Sequence, residues 1–408
     1  MTGADHFQLI LDKTGRAKNG IGNIVRTHIC IEGLISEEKI NSQILTNKAV
    51  LFLHKLKPIK KWYSAKYNWT ETPNDNKLIT YHACENASSL LTSLLHKDYD
   101  LNAGSPLHIN VIYESERNTH FIISVNHALL DFNGMELLLK SISTDKVELS
   151  LNKKINYPGS FLKKFIAAVQ VTFFVAAKSS WSIQHIRESK KNPDPLFHSI
   201  IVEDNDWLES NKLLKGLPLY LACTTKALAQ QENILHRQGL SFFIPTPIDR
   251  RSSDSKNTLL SNQISFLFFK ISPEQITDIE NTRKIFLNQI INQAKLNIPG
   301  KFEHLLNLFS YLPEFIYKAF IDLPSNGKSS SFAFSSLPNS FLASGTFMNH
   351  KVLDYTHFPP FLSPPGLNII FMEMKGAIKI IANFDGNRID PKEAKLLLQN
   401  IKNYLTLN

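Results

Sequence analysis

The sequence is short of the features that mark several large protein classes. Three cysteines in 408 residues are too few for a disulfide scaffold, and such usage fits a reducing compartment. With 16 glycines and 19 prolines the chain is neither collagen-like nor of low complexity. Met1-Thr2-Gly3-Ala4-Asp5-His6-Phe7 lacks the basic start and apolar run of a secretory signal, so a cytoplasmic location is expected. The longest apolar stretch, Phe165 to Ala177, has 13 residues and is interrupted by Gln170 and Thr172, whereas crossing a bilayer takes about 20. Charge of one sign is also never concentrated. Lys and Arg number 45 against 36 Asp and Glu, a net +9, but the cations come in pairs such as Lys60-Lys61, Lys163-Lys164 and Lys190-Lys191. There is no zinc-finger spacing and no RNA-binding aromatic signature, so nucleic acid is not an expected partner. An anionic small substrate, an acidic membrane surface or a solvated lysine-rich exterior would each suit this balance.

Apolar residues make up 43% of the chain and aromatics 10%, enough for a large core in two domains or one large one. The clearest break is the polar, proline-containing stretch Arg187 to Pro195. It suggests an N-terminal half over 1–186, a linker over 187–205 and a C-terminal half over 206–408. Apolar runs predict strands at Ile24–Ile31, Leu107–Tyr113 and Phe121–Val125 and a helix at Met135–Ile142 in the first half. In the second half they predict strands at Leu240–Pro245, Ile264–Ile271, Leu367–Met374 and Ile378–Phe384, with a hairpin turn at Lys375-Gly376. Helical patterns run over Pro273–Ala294 and Phe302–Phe320, and Asp390-Pro391-Lys392-Glu393 opens a final helix with an N-cap and a first-turn proline. The two halves both read as α/β.

Several motifs lead nowhere. Asp12-Lys13-Thr14-Gly15 matches the phosphorylated loop of ion pumps, which need many membrane spans. His28/Cys30 and His82/Cys84 each share a strand face, but the spacing matches no usual zinc pattern and burial is the expected role; no metal is expected. Glycine-rich phosphate loops, the dinucleotide fingerprint and the serine-hydrolase elbow are absent.

One segment remains, Phe121-Ile-Ile-Ser-Val-Asn-His127-Ala-Leu-Leu-Asp131-Phe-Asn-Gly134-Met-Glu136. It delivers a histidine from an apolar strand into a loop before a helix, with Asn133 as the expected N-cap and Glu136 closing a capping box. A histidine held between two rigid elements meets the positional demand on a general base. His-x-x-x-Asp itself occurs three times, at His96/Asp100, His127/Asp131 and His350/Asp354, and only the middle copy has this context.

Around it, Tyr99-Asp100-Leu101 with Gly104-Ser105-Pro106-Leu107, Pro247-Ile248-Asp249-Arg250-Arg251 with Ser261-Asn262, Ser335-Ser336-Leu337-Pro338-Asn339, Gly366-Leu367-Asn368-Ile369 and Asn383-Phe384-Asp385-Gly386 follow in order. Together with the His127 segment, this set resembles the chloramphenicol acetyltransferase-like acyltransferases, with their wax ester synthase/diacylglycerol acyltransferase and condensation-domain branches. Two positions depart from that family's His-His-x-x-x-Asp-Gly: Asn126 stands for the first histidine and Phe132 for the glycine, with Gly134 two residues on.

The resemblance implies two α/β halves, each a mixed sheet flanked by helices, with an active-site channel between them. It implies that His127 is the general base of acyl transfer from a thioester to a hydroxyl, with no covalent acyl-enzyme and no bound cofactor. The donor would be acyl-CoA or an acyl carrier protein, and the acceptor a hydrophobic alcohol. Asp131 would shape the loop through a salt bridge to Arg250 or Arg251. Asn126, Ser335 or Ser336 would face the oxyanion, with Asn368 in the substrate channel. The 27 phenylalanines, and the Phe165–Ala177 stretch flanked by lysines, suit greasy acyl chains and peripheral association with the inner face of a membrane. Amide formation on carrier-bound substrates, or a binding protein whose site has degenerated around Phe132, are the competing expectations.

Overall fold

The structure is a computed structural model. It describes residues 1–104, 106–115, 117–144, 149–150, 161–175, 187, 191–203, 216–234, 241–252, 260–322, 330–338 and 340–406. Its strands are β1 (Ile24–Glu32), β2 (Leu56–Lys60), β3 (Tyr67–Glu71), β4 (Ile79–Cys84), β5 (Leu107–Glu114), β6 (Asn118–Asn126), β7 (Pro195–Glu203), β8 (Phe242–Asp249), β9 (Ile264–Ile271), β10 (Ala333–Leu337), β11 (Thr346–Phe347), β12 (His350–Phe358), β13 (Leu367–Met374) and β14 (Ala377–Asp385). A six-stranded sheet has the order β11-β12-β1-β6-β5-β4 and a four-stranded sheet the order β10-β13-β14-β7. Both are mixed: β4–β5 and β10–β13 pair parallel, the other neighbours antiparallel. Two ribbons, β2–β3 and β8–β9, complete the set.

β6 lies between β1 and β5 and is buried along nearly its whole length, which suits the apolar run Phe121-Ile122-Ile123 and Val125 at its centre, while Thr119, His120, Ser124 and Asn126 are buried polar residues of the same strand. The helix Phe132–Ser143 that follows puts Met135, Leu138, Leu139 and Ile142 into the same core as Phe121, Ile123 and Val125. A second core collects Phe334, Ile369, Phe371 and Ile380 around the four-stranded sheet. β12 lies late in the chain yet joins the six-stranded sheet, pairing with β1 over Arg26↔Phe358 to Ile31↔Val352. Part of the segment 187–205 falls outside the described residues, and the described remainder is mostly β7, which pairs with β14.

Two helical expectations need correction. Pro273–Ala294 is a 3₁₀ turn, Pro273–Gln275, then a helix from Ile279 to Lys295, because the Asp278 side chain accepts from the Asn281 amide and starts a new N-terminus. Phe302–Phe320 is two helices, Ile298–Phe309 and Glu314–Asp322; Pro313 between them has no N–H to continue the first. The final helix begins at Pro391, with the Lys392 amide donating to Asp390 Oδ1 and the Asp390 amide to Glu393 Oε2. No helix among the described residues is long and apolar enough to cross a membrane.

Candidate active site

His127 leaves the end of β6 and enters a short loop that reaches the helix at Phe132. Its backbone is pinned on both sides: the amide donates to the Asn23 carbonyl at 2.8 Å and the carbonyl accepts from Asn262 Nδ2 at 2.9 Å. The ring is set by its own loop, since Nδ1 lies 2.8 Å from the Leu130 carbonyl oxygen. A carbonyl only accepts, so Nδ1 carries the proton and Nε2 keeps its lone pair. The ring lines a cavity of about 290 Å³, whose wall also includes Val25 and Thr27 from the six-stranded sheet, Phe132 from the helix that follows, and Ser335, Asn368 and Ile370 from the four-stranded sheet. Burial holds the His127 pKa below its usual 6.5. Neutral imidazole with a free Nε2 is the form a proton acceptor needs.

Asp131 is turned away from that task. Oδ1 accepts from the Gly134 amide and Arg251 Nη2, both at 2.8 Å; Oδ2 accepts from Arg251 Nη1 at 2.9 Å and the Gln263 amide at 2.7 Å. Four donors leave it no capacity for a proton relay, and a bidentate pair fixes orientation as well as charge. Arg251 is fully buried, also binding Asp249 Oδ1 at 2.8 Å and the Ser261 carbonyl. Burial opposes its charge, but the two aspartates outweigh that and raise its pKa. The partner of Asp131 is therefore Arg251; Arg250 turns outward to Glu303. Gly134 sits in a tight place: a Cβ there would lie 3.1 Å from Leu130 Cδ2 and 3.3 Å from both Asp131 Oδ1 and the Ser261 carbonyl, so these neighbours would have to give by a few tenths of an ångström.

The expected cap at Asn133 is a further correction. Asp131 is the N-cap, and Asn133 lies inside the first turn. Glu136, freed from capping, accepts from Ser340 Oγ and the Phe341 amide at 2.8 Å and lies 2.8 Å from His357 Nε2. Asn126 does not line the cavity. Its Nδ2 donates to Asp12 Oδ1 at 3.0 Å and its Oδ1 accepts from the Ala128 amide at 3.0 Å, so it ties the loop to the helix Gly3–Asn19 and both ends are spent. Asp12 is buried and accepts from the Asn23 amide as well, which gives Asp12-Lys13-Thr14-Gly15 a structural role on the first helix. Ser335 lines the cavity and Ser336 does not; Asn368 lines it with a buried Oδ1 that has no partner. Asn339 falls outside the described residues.

No protein-family model and no curated protein matches this sequence. Solved structures do. A trichothecene 15-O-acetyltransferase from Fusarium sporotrichioides superposes with a TM-score of 0.72 at 13% identity, over 99% of this chain and 94% of that one. The first condensation domain of the calcium-dependent antibiotic synthetase gives 0.70 at 8% identity over 99% and 94%, and the starter condensation domain of rhizomide synthetase, in complex with C8-CoA and Leu-SNAC, 0.68 at 9% over 97% and 92%. The chain has their fold. The two-halved chloramphenicol acetyltransferase-like architecture expected from the ordered motifs is the one observed.

Within that fold Phe132 is not an obstacle to the loop. It opens the helix as its first residue, its φ is not left-handed, and its ring packs edge-on against His357 with centroids 4.9 Å apart. Sequence reasoning missed Thr27 and His357, paired across β1 and β12 with Thr27 Oγ1 2.8 Å from His357 Nδ1, both on the cavity wall. Nothing in the local sequence announces a pairing 330 residues apart. Asn23 and Leu130 act through backbone carbonyls, which any residue type supplies.

Proposed function

We propose that this protein is a thioester-dependent O-acyltransferase with His127 as its general base. The observation that carries the reading is the His127 ring, fixed by the Leu130 carbonyl with Nε2 unprotonated, in the wall of a mostly apolar cavity. Nε2 takes the proton of an acceptor hydroxyl as that oxygen attacks the thioester carbonyl, typically worth ~10²–10⁴-fold. The tetrahedral intermediate collapses by breaking the C–S bond, and the leaving sulfur takes the proton back from His127, giving ester and free thiol. Ser335, on the wall, would donate to the oxyanion. Asp131 and Arg251 hold the loop, and the Asp131 oxygens that reach the wall are already engaged by Arg251 and the Gly134 and Gln263 amides.

The wall favours an alcohol acceptor over an amine. An amine arrives as ammonium and needs a counter-charge, yet the only carboxylate on the described wall is Asp131, closed by Arg251. A neutral hydroxyl has no such need. The donor is acyl-CoA or an acyl carrier protein, and one solved structure of the same fold holds C8-CoA. Peripheral association with a membrane has support in the helix Phe161–Val175: Ala168 and Val171 are buried, while Leu162, Phe165, Ile166 and Phe173 are exposed beside Lys163 and Lys164. Flotation with anionic liposomes tests that part.

The deciding experiment is free-thiol release from a panel of acyl-CoA and acyl-carrier thioesters with lipid extract as the source of acceptor. Release that requires extract and vanishes in His127→Ala is expected, with the ester identified by mass spectrometry. Turnover by His127→Ala at the wild-type rate would remove the base assignment.

A further inference from the structure

One cation on the cavity wall is left over by the acyl-transfer reading. Arg26, near the start of β1, is 8% exposed, and it is the only lysine or arginine on the described wall. Its Nη2 donates to the Lys97 carbonyl at 2.6 Å and Nη1 makes a long 3.4 Å contact with the Ile24 carbonyl. Nε is buried with no partner. No carboxylate among the described residues lies within ion-pair distance of it; the nearby Asp98 is bound to Arg16. Across the ladder from Arg26 stands Ser124, whose Oγ is also buried and unpartnered. Burial lowers the guanidinium pKa to about 10, which leaves it charged at neutral pH. A buried charge without a counter-ion is costly, and five N–H donors served by two carbonyls leave the fork open. Phe358, its neighbour across the ladder to β12, and Pro359, Pro360 and Leu362 supply apolar surface on the same wall.

We propose that Arg26 is an anion anchor and that the acceptor is an apolar hydroxy acid whose carboxylate docks on it while its hydroxyl meets His127. The planar carboxylate matches the guanidinium fork. A single cation balances one negative charge, whereas a phosphate dianion would need a second. This inference rests on reading the cavity as the substrate site, and binding measured without turnover keeps the two claims separable.

The test is calorimetric titration of the full chain with octanoate, octanol and octyl phosphate, for wild type, His127→Ala, Arg26→Met and Arg26→Lys. Octanoate is expected to bind wild type and His127→Ala at least tenfold more tightly than octanol. The preference should disappear in Arg26→Met and persist, weakened, in Arg26→Lys, which keeps charge without the fork. Equal affinity of acid and alcohol for wild type, survival of the preference in Arg26→Met, tighter binding of octyl phosphate, or no binding by either acid or alcohol would each overturn the anchor. If Arg26→Met does not fold, the wild-type and Arg26→Lys comparison decides. Intact carboxylate preference with no thioester turnover would remove the acyl-transfer reading and leave the anchor standing.

Discussion

His127/Asp131 and His350/Asp354 share one pattern and nothing else. Asp131 is 3% exposed and faces a fully buried arginine, while Asp354 is 48% exposed and meets Lys379 at 2.8 Å. His127 sits in a loop whose own carbonyl sets its tautomer. His350 lies on a strand, 3.3 Å from the Glu32 carbonyl, and four residues of strand carry its aspartate about 13 Å away. The third copy separates likewise: His96 ends a helix and stacks on Phe197, and Asp100 caps a turn at Asn102. What distinguishes the middle copy is a cation 120 residues away and a cavity lined by both halves of the chain.

The largest way to break this contrast is at the histidines. His127→Ala is expected to lower acyl transfer by ~10²–10⁴-fold with the fold intact, and His350→Ala to leave the rate unchanged. Parallel thiol-release assays with circular dichroism check both, and equal losses would make the two copies equivalent.

At the aspartates the contrast moves to stability. Asp131→Ala takes the bidentate carboxylate from a buried guanidinium that also binds Asp249 and the Ser261 carbonyl, and should cost about 3–5 kcal/mol of unfolding free energy. Asp354→Ala removes a carboxylate that is 48% exposed, and the buried Lys379 ammonium keeps the Tyr355 carbonyl and Thr356 Oγ1 as acceptors, so the loss should be smaller than at Asp131. Urea denaturation of both variants tests the difference; a Gly134→Ala variant should fall between them, through crowding of the Asp131 carboxylate and the Ser261 carbonyl.

A smaller effect is expected at Phe132. Restoring glycine, Phe132→Gly, removes the ring from His357 and puts glycine in a helix, so the melting temperature should fall, by the equivalent of roughly 1–3 kcal/mol. A rise would mean that the ring strains the loop.

How much of this was legible follows from distance along the chain. Ile264–Ile271 and Leu367–Met374 are strands over the residues their apolar runs predict, since buried strands are specified by local composition. Helix limits were less legible because one side chain decides them: Asp278 starts a helix inside a continuous pattern, and Asp131 took the cap from Asn133. The choice between Arg250 and Arg251 was open because adjacent side chains at a strand end point to opposite sides, one toward Asp131 and one toward Glu303. β12, with His357, was invisible because its pairing with β1 is a property of the closed fold.

Titration gives the finest distinction. Protonation removes the Nε2 lone pair, so a general base works only above its pKa, and burial holds His127 below 6.5. The acid limb of kcat/KM should therefore lie below pH 6.5; a limb above it would indicate a different base. Stability falls over the same range for another reason. His6 and His108 are buried with pKa values lowered to about 4, so the unfolded chain takes up protons at about 6.5 while the folded chain refuses them. Their contribution is complete above pH 6.5 and is lost as pH falls toward 4, at up to roughly 1.4 kcal/mol per group per pH unit. Neither ring nitrogen of His6 has a hydrogen-bond partner, and the ring stacks on Tyr317 at 5.2 Å. His6→Phe keeps that stack without the titration. Its melting temperature should be less sensitive to pH between 6.5 and 4 than the wild type's, while the acid limb of catalysis stays where His127 sets it; a limb that moved with His6 would show that loss of fold, and not protonation of the base, had shaped it.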